Sequence, residues 1–446
     1  MSDHGSFTID DSQKKLGPIW LSPGVLPRHV LTLFYSAMFS IVFITFLNLV
    51  HPYVLHEHLG MPTEQQGNFT GNLYVVLELI TIVFAIPLGV LSDRIGRRPI
   101  YTAGFLLLAI GMALIPTART PEMMGLYRVI ASLGIACCVT MTASLNADYP
   151  QNNSRGKQLA ISGFFTALGI VIIASFLMAG LPEFYASRGM DPIAAGNATY
   201  WTGTALALLA AIVTWFGTIK TLPTKKTERE PLMHMLRVGI AEIRRNPRLT
   251  LGCGATFVSR GDLTVLATYF SLWIVAVGTD QGGDVGEISA KAGMLFGISQ
   301  LAIPLSLPVV AMLVDRLDRV TMVAAAMGFT ACGYFFLGVV PDPLGSWLIY
   351  PALILTGIGE SMVIVTAPAL VGQEAPSRVR GSIIGVTALC GGFGVLINVK
   401  ASGYMFDAWS YQAPFLYMAG VNIALMLWAL LVRLKHGSSR TTTAPG

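Results

Sequence analysis

Twelve long apolar runs dominate this chain, near residues 29–50, 70–91, 100–117, 123–147, 158–180, 200–220, 249–277, 287–314, 320–340, 345–371, 381–403 and 412–433. Each is bounded by charge, proline or glycine. A helical segment of about 20 apolar residues spans a hydrocarbon core roughly 30 Å thick, so the chain is expected to be an all-α membrane protein with twelve transmembrane helices. Composition agrees: 53% of the 446 residues are hydrophobic and 12% are charged, where a soluble domain carries roughly a quarter charged. No water-soluble domain is left over, and the net charge of +5 implies no nucleic-acid partner, because the basic residues flank the spans.

Their placement sets the expected orientation. With the N-terminus inside, 23 of the 29 lysines and arginines fall in inner segments and only Arg119 and Arg188 in outer loops; cytoplasmic loops retain such an excess. Both termini are thus expected in the cytoplasm, in a plasma (inner) membrane. The expected organisation is a tail at 1–28, a six-helix bundle at 29–220, a linker at 221–247, a second bundle at 248–433 and a tail at 434–446. Within the linker, Pro231–Arg245 alternates apolar and basic positions and reads as a helix lying on the inner membrane face. The residues from Met1 to Leu26 carry no removable signal pattern. The five cysteines sit in apolar runs and are odd in number, so no disulfide framework is expected.

The chain also repeats itself. Gly89-Val-Leu-Ser-Asp93-Arg94-Ile-Gly96-Arg97-Arg98, after the second span, is echoed by Met312-Leu-Val-Asp315-Arg316-Leu-Asp-Arg319 after the eighth. Asp148-Tyr-Pro150 with Arg155 is echoed by Glu374-Ala-Pro376 with Arg380. The offsets are 222, 226 and 225 residues, close to half the chain. Matched charged loops in the same order on one membrane face imply two pseudo-symmetric six-helix halves related by an axis along the membrane normal.

With these residues the sequence resembles the major facilitator superfamily over its whole length. Gly89–Arg98 fits that family's signature between helices 2 and 3, and Tyr127-Arg128 to Gly134 partly fits a second one on helix 4, with Ser132 where glycine is frequent. The antiporter signature on helix 5 is missing, since Ser162–Gly180 holds no proline. The resemblance implies two bundles around a central cavity, with helices 3, 6, 9 and 12 outermost. It also implies a conformational gate made of Gly89, Asp93, Arg94, Gly96, Arg97, Arg98, Asp315, Arg316, Arg319, Arg155 and Arg380. In that gate Asp93 would meet the start of helix 11 near Gly381 in the outward-open state. Asp318 replaces the glycine in the second copy, so a weaker gate is expected there.

Ionisable residues at membrane depth are costly and generally face a cavity. They are Glu78, Arg128, Arg260, Asp262, Lys291, Glu360 and Lys400, and none falls in spans 3, 6, 9 or 12. Glu78 corresponds through the repeat to Gln300. A carboxylate taken out of water favours its protonated form, which makes Glu78 a candidate proton carrier or one side of an ion pair. Arg260 and Asp262 lie on different faces of one helix; Arg260 offers a planar fork to an anionic solute, and Asp262 or Glu360 could pair with Arg128. Lys400 and Lys291 sit near outer ends, where they either serve the solute pathway or snorkel. Glu78, Arg128, Arg260, Asp262, Gln300, Glu360 and Lys400 form the expected substrate or proton pathway.

Three weaker signals complete the reading. His51, His56, His58 and Glu57 have metal-like spacing, with surface solvation the simpler account; Trp201, Trp273, Trp347, Trp409 and Tyr411 suit interfacial anchoring; and Gly391, Gly392 and Gly394 permit either close packing or bending. No phosphate loop or nucleophile elbow is found, so neither an enzyme nor a cofactor is expected. The expectation is a monomeric secondary transporter moving a small anionic or zwitterionic solute by alternating access, driven by a proton or solute gradient because no nucleotide site exists, with the proton favoured. A proton-exchanging drug or lipid exporter and a transporter-like receptor are the alternatives.

Overall fold

The computed structural model describes residues 14–220, 232–376 and 378–437. Twelve of its helices are long and apolar enough to cross a membrane. They are α1 Pro27–Leu49, α2 Thr63–Ile95, α3 Arg97–Leu114, α4 Pro121–Asp148, α5 Arg155–Leu168 with a π-helical continuation Gly169–Met178, and α6 Pro192–Gly217. After the linker come α7 Pro247–Asp280, α8 Val285–Arg316, α9 Arg319–Val339, α10 Ile349–Glu374, α11 Arg380–Ala408 and α12 Ala413–His436. Their starts are written locally. Proline opens α1, α4, α6 and α7, at a position whose N–H would have no helical partner. Side chains of Thr120, Asp191, Asn246, Asp284 and Asp318 accept from the first free amides of α4, α6, α7, α8 and α9, as N-caps do.

Packing reproduces the sequence repeat. In the N-terminal half α3 lies against α4 and α6, and α1 against α5; in the C-terminal half α9 lies against α10 and α12, and α7 against α11. The two main cross-half contacts, α2 with α11 and α5 with α8, are one contact made twice, because the repeat interchanges α2 with α8 and α5 with α11. Small residues let these helices approach. A Cβ on Gly134 would meet the Gly104 carbonyl at 2.6 Å and the Leu108 amide at 2.7 Å, which explains why α3 and α4 can touch only through glycine there. Gly96, between α2 and α3, holds φ at 97°, where a side chain is strained.

The halves are joined on the side away from the termini and parted on the terminal side. On α2, Gly67 meets Phe406 and Asp407, Gly71 meets the Val399 carbonyl, and Ile82 meets Gly392. On α8, Gly286 meets Glu183 and Gly297 meets Ser175 and Phe176. Beyond those points Val83, Ile86 and Leu91 of α2, Phe164 and Leu168 of α5, Leu305 and Val309 of α8, and Ile384 of α11 are all exposed. Added Cβ atoms at Gly89, Gly163, Gly381 and Gly385 would meet nothing within 4 Å.

Two expectations need correction. Trp273 is fully buried, against Phe270 and Phe415, rather than interfacial, because its stretch of α7 is enclosed by its own bundle; Trp201, Trp347 and Trp409 are exposed as anchors should be. The linker helix, Leu232–Arg245, packs on α11: Gly239 lies against the Ser382 carbonyl and Val386, and Ile243 joins a cluster with Ile383 and Leu249. Its apolar stripe is thus partly spent on protein, while Met233 and Ile240 remain exposed. Residues 221–231 of the linker, and residues 1–13 and 438–446 of the tails, lie outside the described residues.

Gly134→Ala forces α3 and α4 apart and costs about 1–3 kcal/mol, the usual range for overpacking. A lowered unfolding temperature of the purified protein checks this, with Gly125→Ala, whose Cβ meets open space, as the unaffected control.

Candidate functional site

An ion pair joins the two halves between α2 and α7. Glu78 of α2 and Arg260 of α7 approach to 3.8 Å between Oε1 and Nη2, with Arg260 half-exposed (52%) and Glu78 at 16%. Both rest on the glycine step of α11. A Cβ on Gly391 would lie 2.5 Å from Arg260 Cδ, one on Gly392 would lie 3.4 Å from Glu78 Oε1, and Gly394 sits against the Phe257 carbonyl. The glycines therefore serve close packing: they bring the α11 backbone down on α7 and leave the floor on which the ion pair lies. A long pair with one partner half in solvent contributes little, ~0–1 kcal/mol, so an incoming anion can compete for the guanidinium.

Arg128 is 2% exposed within the N-terminal half. Its Nη1 donates to the Leu47 carbonyl at 3.0 Å and its Nη2 to the Tyr74 hydroxyl at 3.2 Å, and Tyr74 in turn donates to Asn48. Because α1 ends at Leu49, Arg128 sits at a helix C-terminus, whose dipole and last carbonyls suit a cation. His51 follows directly and bonds Thr70 at 3.1 Å. The expected pairing of Arg128 with Asp262 or Glu360 is not formed. The end of α1 supplies carbonyls in its own half, and both acids are enclosed in the other.

Asp262 of α7 and Glu360 of α10 are each 1% exposed. Asp262 Oδ1 accepts from Asn422 Nδ2 of α12 at 2.8 Å, and Tyr334 of α9 donates to the Asp262 carbonyl at 2.7 Å. Gln300 is also buried, on α8. Thus α9 and α12, which carry charge only at their ends, still furnish polar partners to the bundle interior.

Lys400 is neither in the vestibule nor snorkelled. Its Nζ donates to Asn68 Oδ1 at 2.8 Å and Asn72 Oδ1 at 2.5 Å of α2. Further along α11, Asp407 accepts from the amides of Gly67 at 2.8 Å and Asn68 at 2.6 Å. Ser271 Oγ donates to the Leu49 carbonyl at 2.8 Å, tying α7 to the end of α1. Together these groups, strung between α1, α2, α7 and α11, form a seal on the face away from the termini. Lys291 is exposed on that face. The described residues contain no group of three or more His, Cys, Asp or Glu side chains able to hold a metal; His58 bonds the Pro116 carbonyl and His56 bonds Glu57 instead.

The sequence matches the family model described as Major Facilitator Superfamily over residues 33–399 and 255–446. The chain belongs to the Major Facilitator Superfamily. Among curated relatives, magnetosome protein MamH of Paramagnetospirillum magneticum is 26% identical over 426 residues, covering 93% of this chain and 95% of that protein. Magnetosome protein MamZ of the same organism is 27% identical over 400 residues, covering 85% of this chain, but the match spans only 59% of MamZ. The solved nucleoside transporter NupG superposes with a TM-score of 0.70 at 16% identity, over 91% of this chain and 99% of its own. The fold is thus that of the superfamily, and the solved structures it matches are transporters and not enzymes.

The residues expected to form a gate after α2 are bonded within their own half. Asp93 pairs with Arg97 at 2.8 Å, and Arg97 reaches Asp148 at 3.2 Å and also Ser92. Arg98 stacks on Trp215, 4.0 Å from the ring centroid, while Arg94 and Arg155 are exposed. Gly381, the expected neighbour of Asp93 in the outward-open state, has open space where a Cβ would stand. In the second copy Asp318 caps α9 and pairs with Arg433 of α12 at 3.3 Å. Arg319 donates to the Ala369 carbonyl at 2.9 Å and Arg380 to that of Ala375 at 3.4 Å, and Arg316 is exposed. The side chain of Asp315 lies outside the described residues. Sequence reasoning missed Asn68, Asn72 and Asp407, whose only signal was their place at the ends of spans 2 and 11, and Tyr334 and Asn422, polar residues in spans without charge.

A cysteine placed at Ser271, in a chain whose native cysteines are replaced, is expected to resist a membrane-impermeant maleimide added to the face away from the termini. Removing the seal with Lys400→Ala and Asp407→Ala raises its labelling severalfold; unchanged labelling means these two side chains do not hold that face shut.

Proposed function

We propose that the chain is a proton-coupled secondary transporter that carries a small anionic or zwitterionic organic solute across a plasma (inner) membrane by alternating access, as a monomer with both termini in the cytoplasm. The observation that carries this reading is Arg260: a half-exposed guanidinium at membrane depth, 3.8 Å from Glu78 of the other half. A guanidinium in that place supplies two parallel N–H donors to a carboxylate or phosphate. In this mechanism the bound solute takes the place of the Glu78 carboxylate on Arg260. Glu78 acts as the counter-charge that holds Arg260 ready between solutes, a role its partial exposure supports. With the cross-half pair replaced by solute contacts, the halves rock, the α2–α11 seal parts, and the gate around Asp93 and Arg97 closes against α11. Differential binding of the solute by the two states is what drives such a shift.

An exporter of drugs or lipids is the second reading. The exposed apolar side chains on the terminal-face halves of α2 and α8, Val83, Phe84, Leu305 and Val309 among them, favour it.

Thermal unfolding of the purified protein with benzoate, succinate, phosphate, a nucleoside and a cationic dye separates the two. The transport reading expects an anion to stabilise the wild type by several degrees and to lose that effect in Arg260→Ala, with uptake of the same anion into proteoliposomes raised by an outside-acid gradient. Stabilisation by the cationic dye alone, insensitive to Arg260→Ala, replaces it with the exporter.

A further inference from the structure

We propose that Asp262 and Glu360 form a proton-binding site inside the C-terminal bundle, distinct from the solute-facing Glu78–Arg260 pair, in which the two carboxyls share one proton. This rests on the proton-coupled reading and deepens it by placing its ion. Both side chains are 1% exposed, and the helices that carry them, α7 and α10, pack against each other. Among the described residues, both oxygens of Glu360 and Oδ2 of Asp262 have no hydrogen-bond partner. The nearby cations are engaged elsewhere: Arg260, two residues from Asp262 and hence about 200° around the helix, turns to Glu78, and Arg128 is committed in the other half. The side chains that bond Asp262 from the neighbouring helices are uncharged. Tyr334 of α9 stands near both acids and spends its O–H on the Asp262 carbonyl, and Asn422 of α12, 0% exposed, donates Nδ2 to Asp262 Oδ1.

Two carboxylates shut away from water beside each other cannot both stay ionised. One proton resolves the site: it bonds to an open oxygen of either acid, the new O–H can point at an open oxygen of the other, and the site's charge falls from −2 to −1. On release the proton returns to water and the charge is restored. The independent observation for a proton rather than a metal ion is the Asn422 amide. It turns a donor, not an oxygen, toward Asp262, and its own Oδ1 is buried without a partner among the described residues, whereas a hard cation collects six or more oxygens. With both acids sealed while the terminal face is open, the proton is held in this state and exchanges in a state that admits water between α7 and α10.

Infrared difference spectroscopy of the full-length protein in lipid nanodiscs tests this without any solute, so that a failed anion screen and a failed acid pair give different results. The wild type is expected to show the C=O band of a protonated carboxylic acid that disappears reversibly as pH is raised. The band is expected to be lost in Glu360→Gln, shifted in Asp262→Asn and unchanged in Glu78→Gln. A band retained unshifted in both acid-pair variants, lost only in Glu78→Gln, or constant at every pH at which the protein stays folded overturns the proposal. Should Glu360→Gln fail to fold, Glu360→Asp must move the band, and an unmoved band overturns it equally.

Discussion

A charge inside a hydrocarbon core needs an opposite charge, polar partners, a proton or water, and the distribution of these organises the structure. Isolated, an ionised side chain at that depth costs at least several kcal/mol, more than a typical packing contact returns. Arg128 meets the requirement with carbonyls at a helix end and the Tyr74 hydroxyl. Arg260 meets it by facing both Glu78 and the open side of the molecule. Lys400 meets it at the sealed face by bridging to asparagines of the other half. Each solution is different in kind: the first is internal to one bundle, while the other two exist only because the bundles touch. Charges of the latter kind are sensitive to how the halves are placed, and on the proposed reading this is what would couple solute binding to rocking.

Backbone approach makes that sensitivity usable. Glycine at 67 and 71 on α2 and at 392 on α11 lets the two halves meet at distances where an added carbon would strike a side chain or a carbonyl. Close packing of this kind is short-ranged; a rigid-body tilt of one bundle breaks it at one face while bringing the other face together. The pseudo-symmetric partner contact, α5 with α8, follows the same rule through Gly293 and Gly297. The exposed terminal-face halves of α2, α5, α8 and α11 are then surfaces awaiting each other in the opposite state.

How much of this was legible in the sequence depends on the range of the interaction involved. Span number and the repeat follow from apolar run length and matched loops, which are local properties, and most of the helices overlap the expected runs, with several extending a turn or more beyond them. The depth of Glu78 and Arg260 was readable from helical rise, but their contact was not, because nothing in one span states which residue of another faces it. Trp273 failed as an anchor and Arg128 failed as a partner of Asp262 or Glu360 for the same reason: rotation of a helix within its bundle is set by tertiary packing. The break of α1 at Val50, which frees carbonyls for Arg128 and Ser271, was marked only by Pro52. Tyr334 and Asn422 were passed over because charge alone was taken as the mark of a polar interior.

The central claim is that the halves close on the face away from the termini and part on the other, and that they exchange these positions as rigid bodies. Paired spin labels measure it most directly, one pair across the terminal face at Leu91 and Ile384 and one across the opposite face at Glu64 and Trp409, with the protein in lipid nanodiscs. The account predicts two distance populations for each pair that change in opposite senses, the terminal-face pair shortening in whatever proportion the other lengthens when the Lys400 and Asp407 contacts are removed. A single distance at either face that does not respond, or two distances that lengthen together, contradicts it.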